Sequence, residues 1–283
     1  MIRRRHENDL LLITQHEHAL LAGQLARRIG NGSFAPPQPI DSVLTAISQH
    51  DSGWQSIDAH PSLNPDGLPA HVFETDIELA TVAWAESVER LHAADPYAAL
   101  LVSLHVMNLA AHAATSRAAV KHDTARRETF CINRFLHQQI ETQEALRNEL
   151  HLRVDLPLHR GLAEPGRSED EDQLSLNFHT LQLMDQLSLT LCFNELISNK
   201  VRPIQPRSGA WPLTIRVDRR LDGAVRLDPW PFDVDWLELS IPAKRLRGWP
   251  YKTDAALQVG YTHAEPFTAI ARLRSRLNDR VSA

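Results

Sequence analysis

Apolar positions in the first half of the chain recur at helical spacing. Leu21, Ala22, Leu25 and Ile29 follow His18 at offsets of three, four, seven and eleven, which places all five on one helix face. Thr14-Gln15-His16-Glu17 has the form of a capping box, so a helix is predicted from there to about Gly30. Gly30-Asn31-Gly32 and Pro36-Pro37-Gln38-Pro39 stop it. A second helix, capped by Asp41 or Ser42, carries Val43, Ala46 and Ile47 on one stripe and ends near Gly53. The segment Trp54 to Pro69, rich in Pro, Gly, Asp and Asn, reads as an ordered loop. Thr75-Asp76-Ile77-Glu78 and Asp95-Pro96 open two more helices, and another covers about 124–150.

The polar stretch from Pro157 to Asp172, with its acidic run Ser168-Glu169-Asp170-Glu171-Asp172, is expected to be a mobile connection with solvated charges, ending in a helix cap. Helical spacing resumes from Gln173 to about Ile197. Past Pro203 the period shortens. Leu213-Thr214-Ile215-Arg216-Val217 and Leu237-Glu238-Leu239-Ser240-Ile241 alternate like half-buried strands, and Leu221-Asp222-Gly223 resembles a turn. The pattern predicts a mainly α protein with a helical domain over 1–202. A β-containing extension over 203–283 packs on it as a small appendage.

Composition narrows the function more than the fold. A chain of 283 residues with 43% hydrophobic and 23% charged residues can bury a full core without staples. Its net charge of −5 provides no global attraction to nucleic acid, and no nucleic-acid partner is expected. Arg3-Arg4-Arg5 precedes only the short apolar run Leu10 to Ile13, too brief for a signal-peptide core or a membrane span, so a cytoplasmic location without membrane contact is expected. Cys131 and Cys192 form no Cys-x-x-Cys pattern and read as reduced, partly buried thiols.

Several polar residues interrupt the apolar faces. His18 points inward, whereas His16 sits about 200° around the helix from it. His50 lies on the inward stripe of the second helix with Asp51 at its edge, and the chain between His18 and His50 is long enough to return to the same level. His105 follows Leu101 and Leu104 on a later helix, with His112 seven residues along that face. Asp185 lies on a face with Phe178, Leu181, Leu189 and Cys192. A buried carboxylate without a partner is costly, and a metal ion removes that cost.

The order His18, His50-Asp51, Asp185 resembles the HD-domain superfamily, in which His, His-Asp and Asp on a helical scaffold coordinate one or two metal ions. Gln15-His16-Glu17-His18, His50-Asp51-Ser52-Gly53-Trp54, Ser103-Leu104-His105 and Asp228-Pro229-Trp230-Pro231-Phe232 look more closely like an uncharacterised bacterial family of HD-like domains. The resemblance implies an HD-type helical bundle in which His18, His50, Asp51 and Asp185 ligate metal, with His105 available to a second ion. Imidazole with carboxylate suits Fe, Mn, Co, Ni or Zn better than Ca.

The implied activity is metal-dependent hydrolysis of a small phosphorylated molecule or nucleotide through a metal-bound hydroxide, with Asp51 and His105 as candidate catalytic residues. The alternatives are an HD-like di-iron oxygenase and a metal-containing ligand-sensing module without turnover. In the loop after His50-Asp51, Trp54 and Asp58 are candidate substrate contacts, and a structural role with Trp54 packed inward has equal weight.

Overall fold

The computed structural model describes residues 1–118, 125–153, 169–193, 200–204, 213–220 and 222–275. The chain opens on a β-hairpin, β1 (Ile2–His6) and β2 (Asp9–Ile13), closed by a two-residue turn at Glu7-Asn8 with Glu7 in the left-handed region at φ 54°. Both faces of β2 are buried. Leu11 and Ile13 enter the main core, while Leu10 and Leu12 pack with Met1, Leu246, Leu257 and Tyr261 in a smaller one. A strand covered on both sides has no reason to alternate, so this one reads as a plain apolar run.

β2 feeds directly into α1 (Gln15–Ala26), where Thr14 accepts a hydrogen bond from the Glu17 amide. The helical body continues through α2 (Ile40–Gln49), the short α3 (Gln55–Ala59), α4 (Ile77–His92), α5 (Pro96–Ala118), α6 (Ala125–Glu149) and α7 (Glu169–Phe193). α5 is the one helix among the described residues long and apolar enough to cross a membrane. It packs between α4 and α6 and touches α2 and α7, with Ala98 to Val102 fully buried. Residues 169–172 of the acidic run form the first turn of α7, where carboxylates complement the exposed amides and the helix dipole. The rest of the expected connection, 157–168, lies outside the described residues, as do residues 194–197 of the predicted helix end.

The C-terminal part adds β3 (Lys200–Ile204), β4 (Leu213–Arg219), β5 (Val225–Asp228), β6 (Trp236–Leu246), α8 (Asp254–Thr262) and β7 (Glu265–Ser275). These strands join the N-terminal hairpin in one seven-stranded sheet of order β1-β2-β6-β7-β5-β4-β3. Every pairing is antiparallel except β5 with β7. Alternate residues of β6 and β7, among them Leu237, Leu239, Ile241, Ala271 and Leu273, share a core with Leu21 and Leu25 of α1 and Leu181 and Leu187 of α7.

The expectation of a mainly α bundle with a small β appendage is therefore corrected. The sheet is a full layer built from both ends of the chain, and it supports the helix carrying His18. Trp230 to Phe232 ties the two layers together: the Gly30 amide donates to the Pro231 carbonyl, and Asn31 donates to the carbonyls of Trp230 and Phe232.

Candidate metal centre

Two close helix–backbone approaches bring the separated histidines together. A Cβ on Gly23 of α1 would lie 2.1 Å from Ser48 Oγ of α2, and one on Gly53 would lie 2.0 Å from the Ala83 carbonyl oxygen of α4. With glycine at both places, α1 meets α2 closely, and the turn after His50-Asp51 rests on the α4 backbone. The Gly53 amide also donates to Ser87 Oγ at 2.9 Å.

His18 is fully buried, with Nδ1 2.8 Å from Ser188 Oγ. The Ser188 hydroxyl itself donates to the Asp185 carbonyl, so its oxygen accepts from His18 Nδ1–H, and Nε2 is the ring nitrogen that faces Asp51. His50 repeats the arrangement, with Nδ1 2.7 Å from the Ile47 carbonyl. Both Nε2 atoms then face the same place. His18 Nε2 lies 3.0 Å from Asp51 Oδ2 and 3.6 Å from Asp185 Oδ1. His50 Nε2 lies 3.6 and 3.4 Å from those two oxygens and has no hydrogen-bond partner.

These separations test the fit of a metal. Around one ion, with bonds of about 2.0–2.2 Å, neighbouring ligand atoms fall about 3.0–3.6 Å apart. Two imidazole lone pairs and two carboxylate oxygens converging without a cation are mutually repulsive, so the donor set fits a divalent ion. His18, His50 and Asp185 form a buried group that could hold a metal ion, with ligand atoms all within 4.8 Å of one another. In the protein alone a proton takes the place of the ion. Burial opposes the charged form of His50, but Asp51 and Asp185 outweigh it and hold its pKa at about 9. Burial likewise pushes against ionisation of Asp51 and Asp185, yet the neighbouring histidines keep both carboxylates below their usual range.

His105 completes the floor of the centre. Its Nε2 lies 3.8 Å from Asp185 Oδ2, and its ring meets that of His50 edge-on at 5.3 Å. Neither ring nitrogen has a hydrogen-bond partner. Burial lowers its pKa to about 4, against the pull of Asp185, so the imidazole is neutral. Gln15, one turn before His18, donates from Nε2 to Asp51 Oδ2 at 3.3 Å.

The centre borders a cavity of about 420 Å³, which Asp51, His105 and Asp185 line. Its walls include Trp54, Phe73, Ile77, Trp84, Leu109 and Leu189. Trp54, 1% exposed, is thus both a core residue and part of the wall. His112 also lines the cavity.

Asp58 is not brought there. It is buried on α3, accepts a hydrogen bond from the Gln15 amide at 2.5 Å and forms an ion pair with the Met1 α-amino group at 2.9 Å. Burial raises its pKa against the opposing effect of that amino group. Asp58 therefore anchors the first turn of α1 and lines a separate depression with His16 and Lys244. His16 stands outside the ligand group, as the helix geometry predicts. On α6, Arg127 is paired with Glu78 by two contacts of 2.6 Å.

Ser188 and Gln15 are the participants that helix-face reasoning passes over. Each sits three residues from a ligand candidate on the same helix, Ser188 after Asp185 and Gln15 before His18, and that spacing is the signal that points to them. No curated protein and no solved structure matches the chain. A family model does match, over residues 1–248, and the chain belongs to that family, described as "Protein of unknown function (DUF3891)".

Proposed function

We propose that this protein is an HD-type metal-dependent hydrolase acting on a small molecule, with a phosphoester as the bond expected to be cleaved. One observation carries the reading. His18 Nε2, His50 Nε2, Asp51 Oδ2 and Asp185 Oδ1 converge at ligand-like spacings beside a cavity sized for a small molecule, which Asp51 and Asp185 line.

These four residues would hold the ion, and Fe, Mn, Co, Ni and Zn all suit the donors. A divalent ion there supplies Lewis acidity, which acidifies water and polarises an ester oxygen. The chain's own part is orientation. Ser188 and the Ile47 carbonyl fix the tautomers of His18 and His50, and Gln15 holds the Asp51 carboxylate. His105, kept neutral by burial, suits hydrogen bonding or ligation better than proton abstraction at neutral pH. With Asp185 Oδ2 it offers two donors toward a second ion.

A second reading, an HD-like iron oxygenase, is favoured by the apolar cavity walls, which suit a hydrocarbon substrate and dioxygen. Assays on a panel of phosphate and carboxylic esters separate the two. Hydrolysis under anaerobic conditions with Mn, Co or Ni is the expected result, because water activation needs no redox change. Turnover that requires iron and O₂, with no hydrolysis under any metal, overturns the proposal. Metal uptake with no turnover in either assay leaves a ligand-sensing module as the reading.

A further inference from the structure

The reading of the centre as a metal site leaves the body of the substrate undefined, and the cavity walls bear on it directly. We propose that the cavity takes a small molecule with one metal-binding head and an uncharged aromatic or branched hydrocarbon body, in place of a nucleotide. This inference rests on that metal-site reading for the head alone.

Three observations carry it. First, no lysine or arginine among the described residues lines the cavity. A nucleotide or polyphosphate would bring charge beyond what one ion offsets, and phosphate sites are ordinarily built from guanidinium, ammonium or clustered backbone amides. Second, the walls are made of Trp54, Trp84, Phe73, Ile77, Leu109 and Leu189. Aromatic faces and branched aliphatic groups on several sides favour a flat or compact apolar body, and about 420 Å³ lies in the lower part of the usual range for small-molecule sites.

Third, two of the lining residues each hold a buried polar atom without a protein partner, the donor Trp54 Nε1 and the acceptor Gln15 Oε1. Buried groups of this kind are costly to leave unpaired, and one donor with one acceptor suits a neutral polar substituent better than an anion. Phe73, 70% exposed, stands at the wall with little burden in the core.

Hydroxamates test the inference because their head binds metal while the body varies. The as-purified protein would be titrated with benzohydroxamate, acetohydroxamate and adenosine 5′-monophosphate, following tryptophan fluorescence, before and after removal of metal by a chelator. Benzohydroxamate is expected to bind at least about tenfold more tightly than acetohydroxamate, from the added apolar area buried. The preference should shrink to less than about threefold in Phe73→Ala, which trims the wall, and in Ala113→Phe, which fills the cavity.

A ratio below about threefold in the unaltered protein, or tighter binding of adenosine 5′-monophosphate than of benzohydroxamate, overturns the inference. Chelation should weaken both hydroxamates by a common factor and leave their ratio intact. A preserved ratio with no effect of chelation would instead sink the metal reading while upholding the apolar body.

Discussion

Nε2 of His18 lies 3.0 Å from Oδ2 of Asp51, and the hydroxyl of Ser188, itself committed as a donor, holds the ring proton on the opposite nitrogen. These two atoms, with His50 Nε2 and Asp185 Oδ1, are spaced as the ligands of one ion are. Metal binding should therefore stabilise the fold. At a free metal concentration of about 100 times Kd the gain is about 2.7 kcal/mol. For a chain of this size that corresponds to roughly 5–10 °C in Tm. Thermal unfolding with and without Mn, Co, Ni, Zn or Fe(II) checks it, and Asp185→Asn should abolish most of the shift. A Tm unmoved by all five ions would refute the metal centre.

Ser188→Ala removes the acceptor that orients His18 without touching the ligand atoms. Loss of such an outer partner lowers metal affinity by roughly 10–100-fold. It also leaves His18 Nδ1 unpaired in a fully buried position, at a cost of about 1–3 kcal/mol. Metal titration and urea unfolding would measure the two effects separately. Unchanged metal affinity in a folded Ser188→Ala protein would show that His18 needs no such support.

The close approach at Gly53 joins the His50-Asp51 turn to α4. An alanine there would place its Cβ 2.0 Å from the Ala83 carbonyl oxygen, and backbone cannot yield as a flexible side chain does. Gly53→Ala should destabilise by at least about 1–3 kcal/mol and weaken metal binding, because Asp51 is two residues upstream. Gly32→Ala is the control, since nothing lies within 4 Å of its Cβ position. Denaturant midpoints for the pair should differ clearly; equal midpoints would contradict the packing.

The centre was more legible in the sequence than the fold. His18, His50 and Asp185 interrupt apolar helix faces, and a polar residue on such a face announces itself through local periodicity alone. Ser188 and Gln15 were hidden because serine and glutamine are ordinary on helices. Asp58 was misplaced because its partners, the Gln15 amide and the Met1 amino group, are distant in sequence. The N-terminal strands were hidden for a different reason: Leu10 to Ile13 is covered on both faces, so the alternation that marks a strand is missing. The pairing of β2 with β6 joins residues more than two hundred apart, beyond the reach of any local pattern.

His71, the residue before the cavity-lining Val72 and Phe73, supplies a pH dependence independent of the metal. His71 stacks on Phe193 with ring centroids 4.8 Å apart, and its Nδ1 accepts a hydrogen bond from the Phe73 amide. Burial, the Met1 amino group and Arg3 together lower its pKa from 6.5 to about 4. The unfolded chain therefore takes up this proton at higher pH than the folded one does. Stability from His71 is complete above pH 6.5 and is lost as the pH falls from there toward 4. His71 is partly exposed, so solvent screening reduces its share to about 1 kcal/mol. His71→Gln keeps a side-chain acceptor and removes the titration. Unfolding free energies of the two proteins, compared from pH 7.5 to 4.5, should show the unaltered protein losing about 1 kcal/mol relative to His71→Gln as the pH falls, because only the unaltered protein loses this contribution. A constant difference across that range would show that His71 titrates alike in the folded and unfolded chains, and that its contact with Phe193 leaves its proton affinity unchanged.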